Sequence, residues 1–312
     1  MNVAYSLPSP SSHAAPCALT IGNFDGVHTG HQTLLKKTVQ LGQQEAQKPA
    51  VFSFSNHPST ILKPGQPVLS LCTLEHKLRL LEAAGIEQLF LIPFTKELSC
   101  LSAEQFLRNL HAGIHFSNLI LGYDAQLGKD RQGDRIAVET LSRQIGFQVF
   151  YLPEHAIDGE PVSSTRIRRH IQKGELDKAS KLLGRPYSIY ARVKKGAGRG
   201  KALGIHTANL SVEGLCLPPL GVYAVQLVHN GCSYPAVANL GIAPTFGTNK
   251  APLLEVHVWD QELELYGELV EVLFHTYLRP EKQFETPEQL KAQIQQDIFQ
   301  AQILLARKDK GE

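Results

Sequence analysis

The stretch Cys17-Ala18-Leu19-Thr20-Ile21-Gly22-Asn23-Phe24-Asp25-Gly26-Val27-His28-Thr29-Gly30-His31-Gln32 decides how this chain is read. Its first five residues are a short apolar run, the pattern of a buried strand. Beyond it, Leu34, Leu35, Thr38 and Val39 recur at helical spacing. Two histidines and the glycines 22, 26 and 30 therefore fall where a strand ends and a helix begins. Backbone N–H groups at a helix start lack intrahelical partners, and the helix dipole adds positive potential there. Phosphates bind at such turns. Glycines let the backbone come close to the anion, while His28 and His31 can donate hydrogen bonds to its oxygens.

Working outward, the first half alternates strand and helix. Ala50–Phe54 reads as a strand. Thr73 caps a helix carrying Leu74, Leu78 and Leu81 and closed by Gly85. Gln88–Ile92 is a second buried strand. Ser102-Ala103-Glu104-Gln105 forms a capping box that opens a helix through Phe106, Leu107 and Leu110. Leu119–Leu121 is a strand, followed by a glycine-rich loop and a helix ending at Gly146, and Gln148–Leu152 completes the set. Such alternation implies a parallel sheet covered on both faces, with ligands at the carboxyl ends of its strands. Two short helical stretches follow, 165–172 and 175–183, before Gly184-Arg185-Pro186 breaks the pattern. The expected domains are therefore 1–184 and 185–312.

The second half changes character. Tyr187–Val193, Val222–Val228, Ser233–Ala238, Leu254–Trp259 and Leu269–Tyr277 read as short strands, and Asn230-Gly231 is a hairpin signal. Val256 and Val258 share one face of their strand, Glu255, His257 and Trp259 the other. This succession predicts a small closed antiparallel barrel. Thr286-Pro287-Glu288-Gln289 is a capping box with proline at the first helical position. It opens a C-terminal helix with Leu290, Ile294 and Ile298 on one face.

Composition limits the classes of function. A chain of 312 residues favours about two domains. The net charge of +2 gives no reason to expect a nucleic-acid or membrane partner. No apolar run approaches the roughly 18 residues of a membrane span, and the N-terminus lacks the basic and apolar regions of a secretory signal. The five cysteines are scattered, with no C-x-x-C pair, which argues against zinc or a disulfide framework and fits a reducing cytoplasm. Oligomeric state is left open by the sequence.

Other stretches carry possible chemistry. Ser163-Ser164-Thr165-Arg166-Ile167-Arg168 opens a helix with hydroxyls, N–H groups and arginines suited to a triphosphate, although a serine-capped helix with a solvated basic face has the same pattern. Asn56-His57-Pro58 is equally a plain turn. Lys194–Gly204 has the composition of a phosphate-enclosing loop but is not a Walker A motif. Thr207 and Asn209 place a hydroxyl and an amide where both can reach one Mg²⁺, which takes oxygen ligands. Glu255, read alone, is a glutamate on the polar face of a strand.

The turn at 22–31 resembles the HxGH motif of nucleotidyltransferases, and its longer form, GNFDGVHTGH, is similar to that of bacterial bifunctional riboflavin kinase/FAD synthetases. Residues 163–168 resemble the same family's ISSTxIR motif, with Val162 at the leading position. Residues 196–209 resemble its GxGRGxxLG[FI]PTAN motif, with His206 in place of proline. Leu121–Gly128 occupies the position of GxDFxFG, with Ala125 and Leu127 where the family has aromatics. LELYG at 263–267 and Leu278-Arg279-Pro280-Glu281 with Phe284 extend the likeness to the C-terminal helix.

The resemblance implies an α/β, Rossmann-like nucleotidyltransferase domain followed by a small β-barrel kinase domain with a C-terminal helix. It implies that ATP phosphorylates riboflavin to FMN on the barrel, and that a second ATP adenylylates FMN to FAD and pyrophosphate on the first domain. It places His28, His31, Gly22, Asn23, Phe24, Asp25, Gly30, Ser164, Thr165 and Arg168 with the ATP phosphates of adenylyl transfer. For the kinase it implies Gly196, Gly198, Arg199, Gly200 and Lys201 on the phosphates, Thr207 and Asn209 on Mg²⁺, and Glu255 as the base for the riboflavin hydroxyl. Asp124, Arg279, Glu281 and Phe284 border flavin in this reading. The alternative is a riboflavin kinase whose first domain is degenerate or regulatory, because of Ala125 and Leu127.

Overall fold

The computed structural model describes residues 1–7, 16–66, 68–195, 206–244, 250–261 and 263–309. Contacts divide the chain into two compact units. Met1–Leu69 with Lys77–Ser163 make the first, and Ser70–His76 with Ser164–Glu312 make the second.

The first unit is built on a six-stranded, all-parallel sheet of β1 (Asn2–Ala4), β2 (Cys17–Ile21), β3 (Lys48–Phe54), β4 (Gln88–Ile92), β5 (Phe116–Gly122) and β6 (Gln148–Leu152). The strand order is β1-β4-β3-β2-β5-β6. Helices α1 (Thr29–Gln44), α2 (Ser59–Leu62), α3 (Leu74–Ala83), α4 (Lys96–Ser99), α5 (Ala103–Ile114) and α6 (Arg135–Ile145) lie between the strands in sequence. Adjacent strand residues point to opposite faces, so β3 contributes Ala50 and Phe52 to one core and Val51 to the other. The first core is completed by Phe106, Leu107 and Leu110 of α5 and Val138 of α6, the second by Leu35 of α1 and Leu81 of α3. The expected capping box is formed: Ser102 Oγ accepts from Gln105 N at 3.1 Å, and Gln105 Oε1 accepts from Ser102 N at 3.0 Å. A two-stranded ribbon, β7 (Ala156–Ile157) and β8 (Glu160–Pro161), ends the unit.

The sequence reading missed β1, which is only three residues long. The consequence of the strand order is a reversal beside β2: β3 and β4 extend the sheet one way from it, β5 and β6 the other. A crevice opens at the carboxyl ends of the strands at such a switch point. The turn at Gly22–His31 follows β2, and the loop from Gly122 follows β5.

The second unit begins with α7 (Ser164–Gln172) and α8 (Leu176–Leu183), then closes β9 (Ser188–Lys194), β10 (Ala208–Ser211), β11 (Gly221–His229), β12 (Cys232–Pro244), β13 (Lys250–Val258) and β14 (Leu269–Arg279) into an antiparallel barrel of order β10-β13-β12-β11-β14-β9. The Asn230-Gly231 turn joins β11 to β12, with both residues at positive φ as that turn requires. The segment Ser70–His76 belongs to this unit, where Thr73 Oγ1 donates to Tyr190 O at 2.7 Å. Helix α9 (Pro287–Asp309) lays Ile298, Ala301 and Leu305 on Trp259, Val237 and Ala224. That contact explains why Trp259 is buried although it shares a strand face with Glu255.

Candidate functional site

The turn after β2 is strained, and burial holds it. Phe24 (φ 51°) and Val27 (φ 40°) both have left-handed backbones, costly for non-glycine residues and most of all for a β-branched one. Both side chains are buried in the second core. Gly22 leaves room for the Phe24 ring, which a Cβ there would meet at 3.0 Å. The strain delivers His28 to the N-cap of α1, where Nδ1 accepts from His31 N at 3.2 Å. An accepting Nδ1 leaves Nε2 of the neutral ring as the donor. The two imidazoles stack with centroids 3.6 Å apart. A Cβ at Gly30 would meet the His28 ring at 3.3 Å, so the glycine of the motif makes room for the stack.

His31 is held well below the ordinary histidine range, by burial first and then by the charges of His28 and Lys77. Its Nδ1 is buried without a hydrogen-bond partner among the described residues. The site therefore offers a neutral His31 imidazole, the His28 ring and helix N–H groups, a set that attracts anions.

Lys77 was not singled out from the sequence. It is 7% exposed, and its Nζ donates to Phe54 O at 2.7 Å and Asn23 O at 3.3 Å. A signal was available: position 77 falls one turn before Leu81, on the apolar stripe that Leu78 and Leu81 continue, where a lysine is out of place. His57 Nδ1 accepts from Ser59 N at 3.2 Å at the start of α2. Asp124 stands exposed after β5, while Ala125 and Leu127 pack inward on the first core. Ser164 and Thr165 lie in the first turn of α7, and Arg168 one turn further, all in the second unit.

On the barrel, Glu255 sits opposite Asn209 of β10 and Asn239 of β12 in register. Asn209 Nδ2 donates to Thr207 O at 3.1 Å, which commits the amide nitrogen and leaves the amide oxygen to accept. Thr207 lines two cavities. One, of about 490 Å³, is lined by Lys194, Lys195, His206, Gln261, Glu264 and Tyr266 among others. The other, of about 360 Å³, is lined by Glu255, Asn239, His257, Arg279, Glu281 and Phe284, with Leu290 and Ile294 of α9 as its apolar wall. The structure thus brings together Glu255, Thr207, Arg279, Glu281 and Phe284. Gly196, Gly198, Arg199, Gly200 and Lys201 lie outside the described residues.

Three further residues shape this second cavity. Buried Asp297 accepts from Arg279 Nε at 2.8 Å and Nη2 at 2.7 Å, a bidentate pair tying the end of β14 to α9. Asn239 Nδ2 donates to Glu281 Oε1 at 3.3 Å. His257 Nδ1 lies 2.8 Å from His206 O and fixes the chain just before Thr207. No sequence signal marks Asp297 or Asn239 as site residues, because their partners are distant in the chain.

One unit carries a histidine–glycine turn at the switch point of a parallel sheet and the other a closed barrel with carboxylate-bearing cavities, two modules each suited to hold a phosphorylated ligand. The comparisons narrow the class. The FAD synthetase family model matches residues 11–166, and the riboflavin kinase model matches residues 183–305. A bifunctional riboflavin kinase/FMN adenylyltransferase from Listeria monocytogenes is 34% identical over 291 residues, covering 93% of this chain and 92% of the relative. The protein of that name from Escherichia coli K12 is 33% identical over 289 residues, 91% of each chain. A crystal structure from Streptococcus pneumoniae, described as a macrolide-efflux protein, superposes with a TM-score of 0.81 at 27% identity, covering 95% of this chain and 97% of that one. The efflux description stays with that protein; among the described residues here, no helix is long and apolar enough to cross a membrane. The chain belongs to the family of bifunctional riboflavin kinase/FMN adenylyltransferases.

Proposed function

We propose that the chain makes FAD in two steps, with riboflavin, FMN and ATP as substrates. The observation that supports the first step most directly is the placement of Glu255 in a cavity walled by Arg279, Glu281 and Phe284, with Thr207 lining both it and a second cavity. The riboflavin 5′-hydroxyl lies against Glu255, which takes its proton as the oxygen attacks the γ-phosphorus. The new O–P bond forms as the bond to the β–γ bridging oxygen breaks, and ADP leaves with that electron pair. The larger cavity takes the nucleotide, with Gly196, Gly198, Arg199, Gly200 and Lys201 enclosing its phosphates. Phe284 and the apolar wall of α9 border the flavin; Asp124 has the corresponding role for FMN in the other reaction.

The hydroxyl of Thr207 and the amide oxygen of Asn209 are hard oxygen donors and fit Mg²⁺, which binds through few protein ligands plus phosphates. When bound, the ion neutralises charge developing between the β- and γ-phosphates.

In the second step a phosphate oxygen of FMN attacks the α-phosphorus of ATP, and pyrophosphate leaves with the bridging oxygen. That nucleophile is already ionised near neutral pH, so catalysis rests on positioning and charge stabilisation. His28 and His31 serve there, with the N–H groups of Gly22–Gly30 and the hydroxyls and guanidinium of Ser164, Thr165 and Arg168. We assign residues 1–184 to adenylyl transfer and 185–312 to the kinase. The cytoplasm is the proposed location, supported by the scattered free cysteines.

The test is product chromatography. Glu255→Ala should lose FMN formation and still convert supplied FMN to FAD. His31→Ala should do the reverse. Parallel loss of both reactions in either variant contradicts the separation of roles.

A further inference from the structure

One buried charge at the carboxyl edge of the sheet has no part in either proposed reaction. Lys77 Nζ faces three oxygens: Phe54 O at 2.7 Å, Asn23 O at 3.3 Å and Ser53 Oγ at 3.4 Å. Ser53 Oγ itself donates to Asn23 O at 3.2 Å. Withdrawing the ammonium from water is costly, and an apolar residue would complete the stripe of Leu78 and Leu81 without the penalty. The oxygens it holds are also not arbitrary. Asn23 opens the histidine turn and Phe54 ends β3, so the ammonium fastens the turn to the neighbouring strand at the edge where the sheet order reverses.

We propose that Lys77 is a positioning residue of the adenylyl-transfer reaction, clamping the Asn23–His28 turn to the end of β3 and fixing a positive charge beside the histidine pair. The same charge helps keep His31 neutral, after burial and His28. His28 on its own turn and Lys77 on α3 are the titratable groups that lower His31 after burial, and Phe24 covers it with its ring at 5.1 Å. A charge preorganised at this edge acts on the transition state more than on substrate binding.

The inference rests on the adenylyltransferase reading, so the full-length wild-type protein is first shown to make FAD from FMN and ATP; failure there refutes that reading and the proposal with it. With Lys77→Met, kcat for FAD formation should fall at least about tenfold while KM for ATP and FMN stays within about threefold. The acid limb of its pH–rate profile should move up towards the ordinary histidine range. Riboflavin phosphorylation in the same preparation should be unchanged. Lys77→Arg, which keeps charge and donors, should recover most of the lost kcat. A methionine variant with kcat within about twofold of wild type, or an arginine variant no better than the methionine one, overturns the proposal. Should Lys77→Met fail to fold, Lys77→Gln replaces it under the same criteria.

Discussion

His31 shows how one residue couples stability to chemistry. In the folded chain its proton affinity is lowered, whereas in the unfolded chain it returns to the ordinary value near 6.5. Below that value the unfolded state binds the extra proton, so stability is full above about pH 6.5 and is lost as pH falls towards the folded value. Denaturant titrations at pH 7.5 and 5.5 should therefore show wild type losing more stability on acidification than His31→Phe. An identical loss in both proteins contradicts the burial of a neutral ring. The motif was legible from its glycines and histidines because they are contiguous. The reason for Gly30 was not, since it depends on the His28 ring folding back over the first turn of α1.

Among the elements, α9 walls one cavity of the barrel, and besides its apolar contacts one charge pair ties it there. Asp297 is buried, Arg279 is mostly withdrawn from water, and two hydrogen bonds join them. Removing one partner leaves the other charge uncompensated, so Asp297→Ala should cost about 3–5 kcal/mol of stability and raise KM for riboflavin. Urea unfolding followed at the one tryptophan, Trp259, which α9 covers, checks the first part. Gly241 provides a milder probe. A Cβ there would overlap the Glu281 carboxylate, so Gly241→Ala should weaken riboflavin binding with little change in stability; an unchanged KM would remove Glu281 from the flavin wall. The apolar face of α9 was readable from Leu290, Ile294 and Ile298. The Asp297 pairing was not, because it joins residues 18 positions apart across two elements. Strand β10 escaped the sequence reading because its four residues lie inside a stretch that reads as a glycine-rich loop and its exit.

Across the whole molecule, alternation of pattern in the first half and short strands in the second were sufficient to give a parallel sheet and a barrel. The closure order of the barrel was not legible, since non-local pairing leaves no periodic trace. Cysteine usage offers a separate check on the packing. Cys17, Cys72 and Cys216 are buried and Cys100 and Cys232 exposed, and burial pushes the Cys17 thiol up to about 12. Thiol titration of the native protein at pH 8 should count two fast groups, and five after denaturation; early reaction of Cys17 would contradict the sheet's first core.

The central claim is that one chain carries two chemically independent sites. Mixing Glu255→Ala with His31→Ala tests it most directly. Neither variant alone should convert riboflavin to FAD, whereas the mixture should, with FMN released by the second protein and consumed by the first. A mixture that forms no FAD, although each variant retains its own half-reaction at the FMN concentration reached, would contradict it.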